Sequence, residues 1–279
     1  MALSPPRSKR TLSRRLRERR EAVELTADQV VARAREMGER TISASTITRM
    51  ERDEWLRPKI EMVELLLTIY DSPPAERAEL IQLTREARQR GWWNAYSDVV
   101  GKGLLTGLEP GASRIREVSV ALIPGLLQIE AYARAVIVGG GITRAEEIDR
   151  RVEVRMLRQR LLSSGDAPQY WAIIDEAALR KIPAELRKNQ VRHLLEVQRP
   201  NLRVQVLPDS AGLHAAASAG FTLLDFPDDT GLVYVENARN QDIYDSAEDL
   251  TAFDLVYQYV SAAALSIPES TAVLENLLT

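Results

Sequence analysis

ISASTITRMERDEWLRP, residues 42–58, decides how the front of this chain folds. Ser43 and Ser45 both suit a helix N-cap, since their hydroxyl oxygens accept from the unpaired amides of a first helical turn. Ile47 and Met50, three apart, share one face of a helix through Arg52, leaving Ala44, Ser45, Thr48 and Arg49 on the others. The exposed amino end of such a helix offers free N–H groups and a positive dipole end to phosphate, and short side chains let its axis approach base edges. Arg49, one turn on, is placed for a bidentate contact to guanine, with Arg52, Arg57 and Lys59 as flanking phosphate contacts. Ser43, Ala44, Ser45, Thr46 and Thr48 complete the expected DNA-facing set. Any amphipathic helix can begin with serine and carry arginines, so the surroundings decide.

Upstream, TLSRRLRERREAVE (11–24) spaces Leu12, Leu16 and Val23 for one apolar stripe and puts arginines, Arg14 and Arg15 among them, on the remaining faces. Those two are further candidate phosphate contacts. Thr26 and Gln29 predict a capping box opening a second helix that turns Val30, Val31 and Ala34 inward, and Gly38 ends it. Val30 and Ile47 lie 17 positions apart, so extra residues around REMGERT (35–41) lengthen either the second helix or the turn after it. Residues 1–60 hold 15 Lys+Arg against 9 Asp+Glu, a balance of +6 in a chain whose net charge is -3; the remainder carries -9. A basic front on an acidic body fits a polyanion-binding module joined to something else.

The 279 residues suit about two domains. With no cysteine, disulfides, thiolate nucleophiles and cysteine-based zinc sites are excluded, which fits a reducing compartment. No run of about 18 apolar residues exists and the basic amino terminus lacks the apolar stretch of a signal peptide, so a cytoplasmic protein with no membrane partner is expected.

Beyond Tyr70, Pro73 and Pro74 can start a helix, and Trp92, Trp93 and Tyr96 form the densest aromatic cluster in the chain, suited to a ligand or partner surface or to packing a connector onto the next domain. QYWAII, LRVQVLP, FTLLDF and GLVYVE read as short strands, an alternating segment follows Pro110-Gly111, and EIDRRVEVRMLRQRLL and AELRKNQVRHLLEVQ are helical by period. EDLTAFDLVYQYVSAAAL predicts another helix, followed by a short terminal one. His193 sits in a helical pattern beside Leu194 and Leu195, which favours a structural role; His214, in SAGLHAAASAG, has small neighbours that admit a ligand but no positioned partner for catalysis. Asp225, Asp228 and Asp229 read as a solvated turn, and neither a metal nor a cofactor is expected.

LTADQVVARA (25–34), SASTITRME (43–51), the Arg57-Pro58 pair and MVELLLTIYD (62–71) together resemble the XRE-type, lambda-repressor-like helix-turn-helix regulators of actinomycetes, over roughly residues 12–71. Ala27 stands where that family usually opens its second helix with glutamine, and Thr46 where it has lysine. LEPGASRIREVSVALIPGLLQIEAYARAVI (108–137), IIDEAALR, HLLEVQRPNLRVQVLP, SAGLHAA and GFTLLDFPDDTGLVYVEN follow in the order found in the uncharacterised, antitoxin-like domain attached to many of these regulators. The resemblance implies a sequence-specific DNA-binding transcriptional regulator, not an enzyme. Its partners would be double-stranded DNA, a second copy of itself and a small protein encoded nearby; the alternative it implies is an antitoxin-like protein that neutralises that small partner.

The expected fold is α+β and mainly α: a lambda-repressor-like helical domain at 1–72, a helical connector at 73–107, and a mixed α/β domain with a small sheet at 108–279. Candidate ligand or partner residues are Trp92, Trp93, Tyr96, Gln128, Tyr132, Arg134, His214, Tyr234 and Glu236.

Overall fold

The structure, a computed structural model, describes residues 4–55, 57–100, 104–227, 229–237 and 240–278, with the backbone alone at 104 and 229. The chain forms two compact units, Met1–Ala95 and Tyr96–Thr279.

In the first unit five helices run in order: α1 (Pro5–Ala22), α2 (Ala27–Glu36), α3 (Ala44–Glu51), α4 (Ile60–Ile69) and α5 (Pro74–Ala87). α1 starts six residues ahead of the Thr11 start read from the sequence, because Pro5 and Pro6 fit the first helical turn, where no amide hydrogen is needed. The expected inward faces form: Leu12, Leu16, Val30, Ala34, Ile47 and Met50 are buried in one core with Val63, Leu66, Leu67 and Leu80. Thr26 Oγ1 accepts from the Gln29 amide at 3.2 Å while Gln29 Oε1 accepts from the Thr26 amide at 2.8 Å, the capping box read from the sequence. Seven residues, 37–43, link α2 to α3, so the extra length lies in the turn rather than in α2. α5 packs along α1 and α4 inside this unit, so the start of the helical connector expected at 73–107 contributes Leu80, Ile81 and Leu83 to the first core.

The helix ends follow a rule that only one residue type advertises. α2 closes on Gly38 at φ 90°, while α1, α3 and α4 close on Glu24, Asp53 and Asp71 at φ 54°, 60° and 49°. In each case the amide after the left-handed residue bonds five residues back, as in Leu25 to the Arg20 carbonyl and Glu54 to the Arg49 carbonyl. A non-glycine residue pays a steric cost there of about 1–2 kcal/mol, so the packed core, rather than local preference, holds these three turns. The start of α3 is local by contrast: Ser43 Oγ accepts from the Thr46 amide at 3.2 Å. Ser43→Ala should cost about 1 kcal/mol of this unit's stability, read by urea unfolding; a cost near zero would show that the cap contributes nothing.

In the second unit the helices α6 (Ser97–Val100) and α7 (Leu104–Leu108) precede strand β1 (Arg114–Ser119), and α8 (Glu130–Gly139) and α9 (Ala145–Gln159) precede β2 (Gln169–Asp175). α10 (Glu176–Arg180) and α11 (Ala184–Glu196) lead to β3 (Leu202–Leu207), then β4 (Phe221–Phe226), β5 (Asp229–Glu236), β6 (Gln241–Tyr244), α12 (Ala247–Ala263) and α13 (Ile267–Asn276). The six strands lie in the order β3-β2-β1-β4-β5-β6. β1, β2 and β3 pair in parallel, whereas β4, β5 and β6 are antiparallel. β2 is buried on both faces, which explains the unbroken run Ala172-Ile173-Ile174. One face carries Ile115, Tyr170, Val204, Leu224 and Tyr234 and packs with Tyr132, Val191, Leu194 and Leu274. The other carries Val118, Ile173, Leu223 and Val233 and packs with Tyr257 and Val260 of α12. β6 was not readable as a strand: its Gln241 and Asp242 are exposed at the sheet edge, and pairing with β5 alone makes it one.

Among the described residues no single helix is long and apolar enough to cross a membrane; α12 and α13 together meet the length and composition, bent by 64°.

Candidate functional site

In the first unit, α3 is seated by Ile47 and Met50, 0% and 3% exposed, which fixes its other side outward. Ser45 and Arg49 on the helix and Arg52 at its C-cap are exposed, and Ala44, Thr46 and Thr48 are half-buried. At its amino end Ser43 Oγ lies 2.9 Å from both the Ser45 and Thr46 hydroxyls, a compact hydroxyl cluster beside the first-turn amides. The Thr48 hydroxyl donates back to the Ala44 carbonyl at 3.0 Å, so as a donor it is already engaged. Among the described residues Arg49 has a single long bond, 3.4 Å from Nη2 to the Glu54 carbonyl, which leaves most of its fork of donors outward.

A crevice lined by Arg17, Arg20, Thr26, Thr48, Glu51 and Arg52 separates α1, the start of α2 and α3. Within it Arg20 holds Glu51 by two bonds of 2.7 and 2.8 Å, so this acidic side chain on α3 is neutralised rather than presented outward. Arg52 has no partner among the described residues. Arg57 donates to the Arg88 carbonyl at 3.1 Å. Arg14 pairs with Glu18 at 2.7 Å, and Arg15 lies 3.5 and 3.4 Å from Glu76 and Glu79 of α5. Arg15 is thus tied into the packing of α1 on α5 rather than grouped with the α3 front.

The aromatic cluster divides. Trp93 is buried, its ring over Gly91 where a side chain would collide with it, and Trp92 meets it edge-on at 6.1 Å. Tyr96 belongs to the second unit, where the Arg150 guanidinium lies 5.1 Å over its ring. Gln128 and Tyr132, expected at a ligand or partner surface, are instead buried. Gln128 Nε2 donates to the Ile123 carbonyl at 2.8 Å and the Tyr132 hydroxyl accepts from the Ile123 amide at 3.3 Å. Arg134 faces solvent and pairs with Asp149 at 2.7 Å. The stretch Pro124–Gln128 is stapled by amide side chains: Gln159 donates to the Gly125 and Gln128 carbonyls, and Gln190 donates to the Leu127 carbonyl while accepting from the Ile129 amide. A buried turn must satisfy its backbone in this way, so PGLLQ is a structural motif.

His214 Nε2 lies 3.2 Å from Asp175 Oδ2, whose other oxygen caps α10 through the Ala177 amide at 2.8 Å. Tyr234 and Glu236 stand elsewhere, on β5. The Tyr234 hydroxyl bonds Glu236, and burial pushes its ionisation upward. Gln241 donates to Glu236 at 3.3 Å. His193 is half-buried within α11, and burial holds its imidazole pKa down. Of the aspartate turn, Asp225 pairs with Arg114 and Arg116; Asp228 lies outside the described residues.

Around Tyr234 the structure assembles charges that the sequence did not single out. Arg158 on α9 holds Glu109 through two bonds of 2.6 and 2.7 Å, with Glu109 1% exposed. On β1, Glu117 accepts from the Tyr170 hydroxyl at 2.6 Å, and burial raises its carboxyl pKa. Arg155, one turn before Arg158, lies against Gly125, where any side chain would collide with its guanidinium. Nothing local marks these arginines, because α9 and its flanks carry so many others that charge alone does not signal an inward position. Arg155, Arg158, Tyr234 and Glu236 line a cleft of about 170 Å³.

The five-helix packing and outward α3 define a helix-turn-helix domain, and residues 11–80 match the family model described as "Helix-turn-helix domain". Such a domain points to DNA as partner. Residues 103–276 match the model "Domain of unknown function (DUF5753)", and the chain belongs to that family. No curated protein and no solved structure matches the chain.

Proposed function

We propose that the protein is a sequence-specific transcriptional regulator that binds double-stranded DNA through α3, with residues 96–279 sensing a ligand or docking a partner rather than catalysing a reaction. The observation that carries this reading is the front of α3: a hydroxyl cluster and Arg49 face outward on a helix whose opposite side is fully buried. Short residues at that end let the helix approach base edges, and Arg49 supplies the guanine-reading fork. A single recognition helix contacts few base pairs, so a dimer on two half-sites supplies the specificity. Ligand or partner binding to the second unit then shifts the DNA-competent population.

Gel shifts on the DNA upstream of the protein's own gene, against random DNA, test the assignment. Arg49→Ala should lose about 1–3 kcal/mol on the best site and little on random sequence. Arg52→Ala should weaken both alike and reduce the salt slope by about one. Equal losses from Arg49→Ala on both DNAs would remove its base-reading role.

The charge of -9 beyond residue 60 favours a second reading, in which this acidic part neutralises a small basic protein encoded nearby and DNA binding serves autoregulation. Adding that neighbour's product to the gel shift separates the two: a stable complex that alters the shifted band supports the antitoxin-like role, and no complex removes it.

A further inference from the structure

Arg155 is anomalous. It is partly buried on α9, yet no hydrogen bond or ion pair joins its guanidinium to any described residue. Its neighbours are otherwise engaged: Arg158 holds Glu109, Arg151 holds Glu147 at 2.9 Å, and Glu236 is held by Tyr234 and Gln241. Glu236, Glu109 and Glu117 act on Arg155 only through space, while Arg158 repels it; burial is the larger effect and lowers its pKa to about 10. A partly buried guanidinium without a bonded counter-charge is costly, and its donors remain available to a ligand. Arg155 lines the cleft, whose other lining includes the apolar side chains of Val99, Leu105, Ile137 and Val154 together with Glu236 and Gln241.

We propose that this cleft binds a small organic anion, whose carboxylate or phosphoryl group takes the vacant donors of Arg155 while a hydroxyl or ammonium group on the same molecule meets Glu236. The apolar wall accepts a short hydrocarbon part, and about 170 Å³ limits the ligand to metabolite size. Fork-to-anion pairing in a partly dry site is strong and directional, which suits an effector site. Gly125 is the residue that lets Arg155 lie beneath the stapled turn, so binding at the guanidinium reaches Pro124–Gln128 directly. The regulatory consequence rests on the reading of residues 96–279 as a sensor; the binding itself does not.

The test uses the full chain and titrates sodium phosphate and sodium isobutyrate separately, each against sodium chloride at matched ionic strength. At about ten times the dissociation constant, at least one of the two should raise Tm by about 3 °C or more and move the side-chain nitrogen signals of Arg155 and Gln241; which one does so tells phosphoryl from carboxylate ligands. Arg155→Met should abolish the response and leave the ligand-free protein as stable or more so, because an uncompensated charge is replaced by an apolar side chain. A response to both anions no larger than to chloride overturns the proposal, as does a full response in Arg155→Met. Should that variant not fold, the wild-type spectrum decides, since an unmoved Arg155 signal is equally fatal. Anion binding that leaves the gel shift unchanged would sink the sensor reading and spare the site; loss of DNA binding altogether would leave the site untouched.

Discussion

Arg158→Ala is expected to destabilise the second unit by about 3–5 kcal/mol. The arginine is bonded twice to Glu109, whose side chain is 2% exposed, and no other cation is bonded to that carboxylate among the described residues. Removing the guanidinium strands a carboxylate in a poorly solvated place, and the penalty is that of the orphaned charge rather than of the lost attraction. The double change Arg158→Met with Glu109→Leu should therefore recover most of the loss, since it removes both charges and keeps the volume. Urea unfolding of both variants beside the wild type checks this. A single variant within about 1 kcal/mol of wild type would mean that water reaches Glu109 freely.

Ile47→Ala is the second large effect. Ile47 is fully buried, and with Met50 it is the seat of α3. Truncation should cost about 2–5 kcal/mol through lost transfer energy and the cavity left behind, whereas Ile47→Val should cost about 0.5–1.5 kcal/mol. DNA affinity should fall with the first and hold with the second, although neither touches DNA, because a loosened α3 no longer holds Arg49 and the hydroxyl cluster in register. Unfolding curves and gel shifts on the same preparations test the link. If Ile47→Ala retained full affinity below its unfolding temperature, α3 could not be the rigid reading element.

Parts of this were legible in the sequence because their causes are local. Thr26 with Gln29 and Ser43 with Thr46 complete their hydrogen bonds within three residues, so the helix starts could be read directly. The period of Leu12, Leu16, Val30, Ile47 and Met50 likewise marked the first core. The exposed side of α3 followed as its complement. The C-terminal candidates differ: Gln128 and Tyr132 lie in a motif that braces a buried turn, while nothing local marks Arg155 and Arg158 as inward.

The amino-acid sequence by itself determined where helices begin, which faces are apolar, and that a basic helical front precedes an acidic mixed body. Only the tertiary structure decided where α1, α3 and α4 stop, since Glu24, Asp53 and Asp71 adopt a left-handed turn that their own side chains disfavour. It alone made β6 a strand, through pairing with β5, and brought Arg158 to Glu109 across 49 residues. The physical reason is range. Capping and periodicity are settled between neighbours a few residues apart, whereas the charge left over at Arg155 exists only once the fold has assigned every nearby carboxylate to another partner.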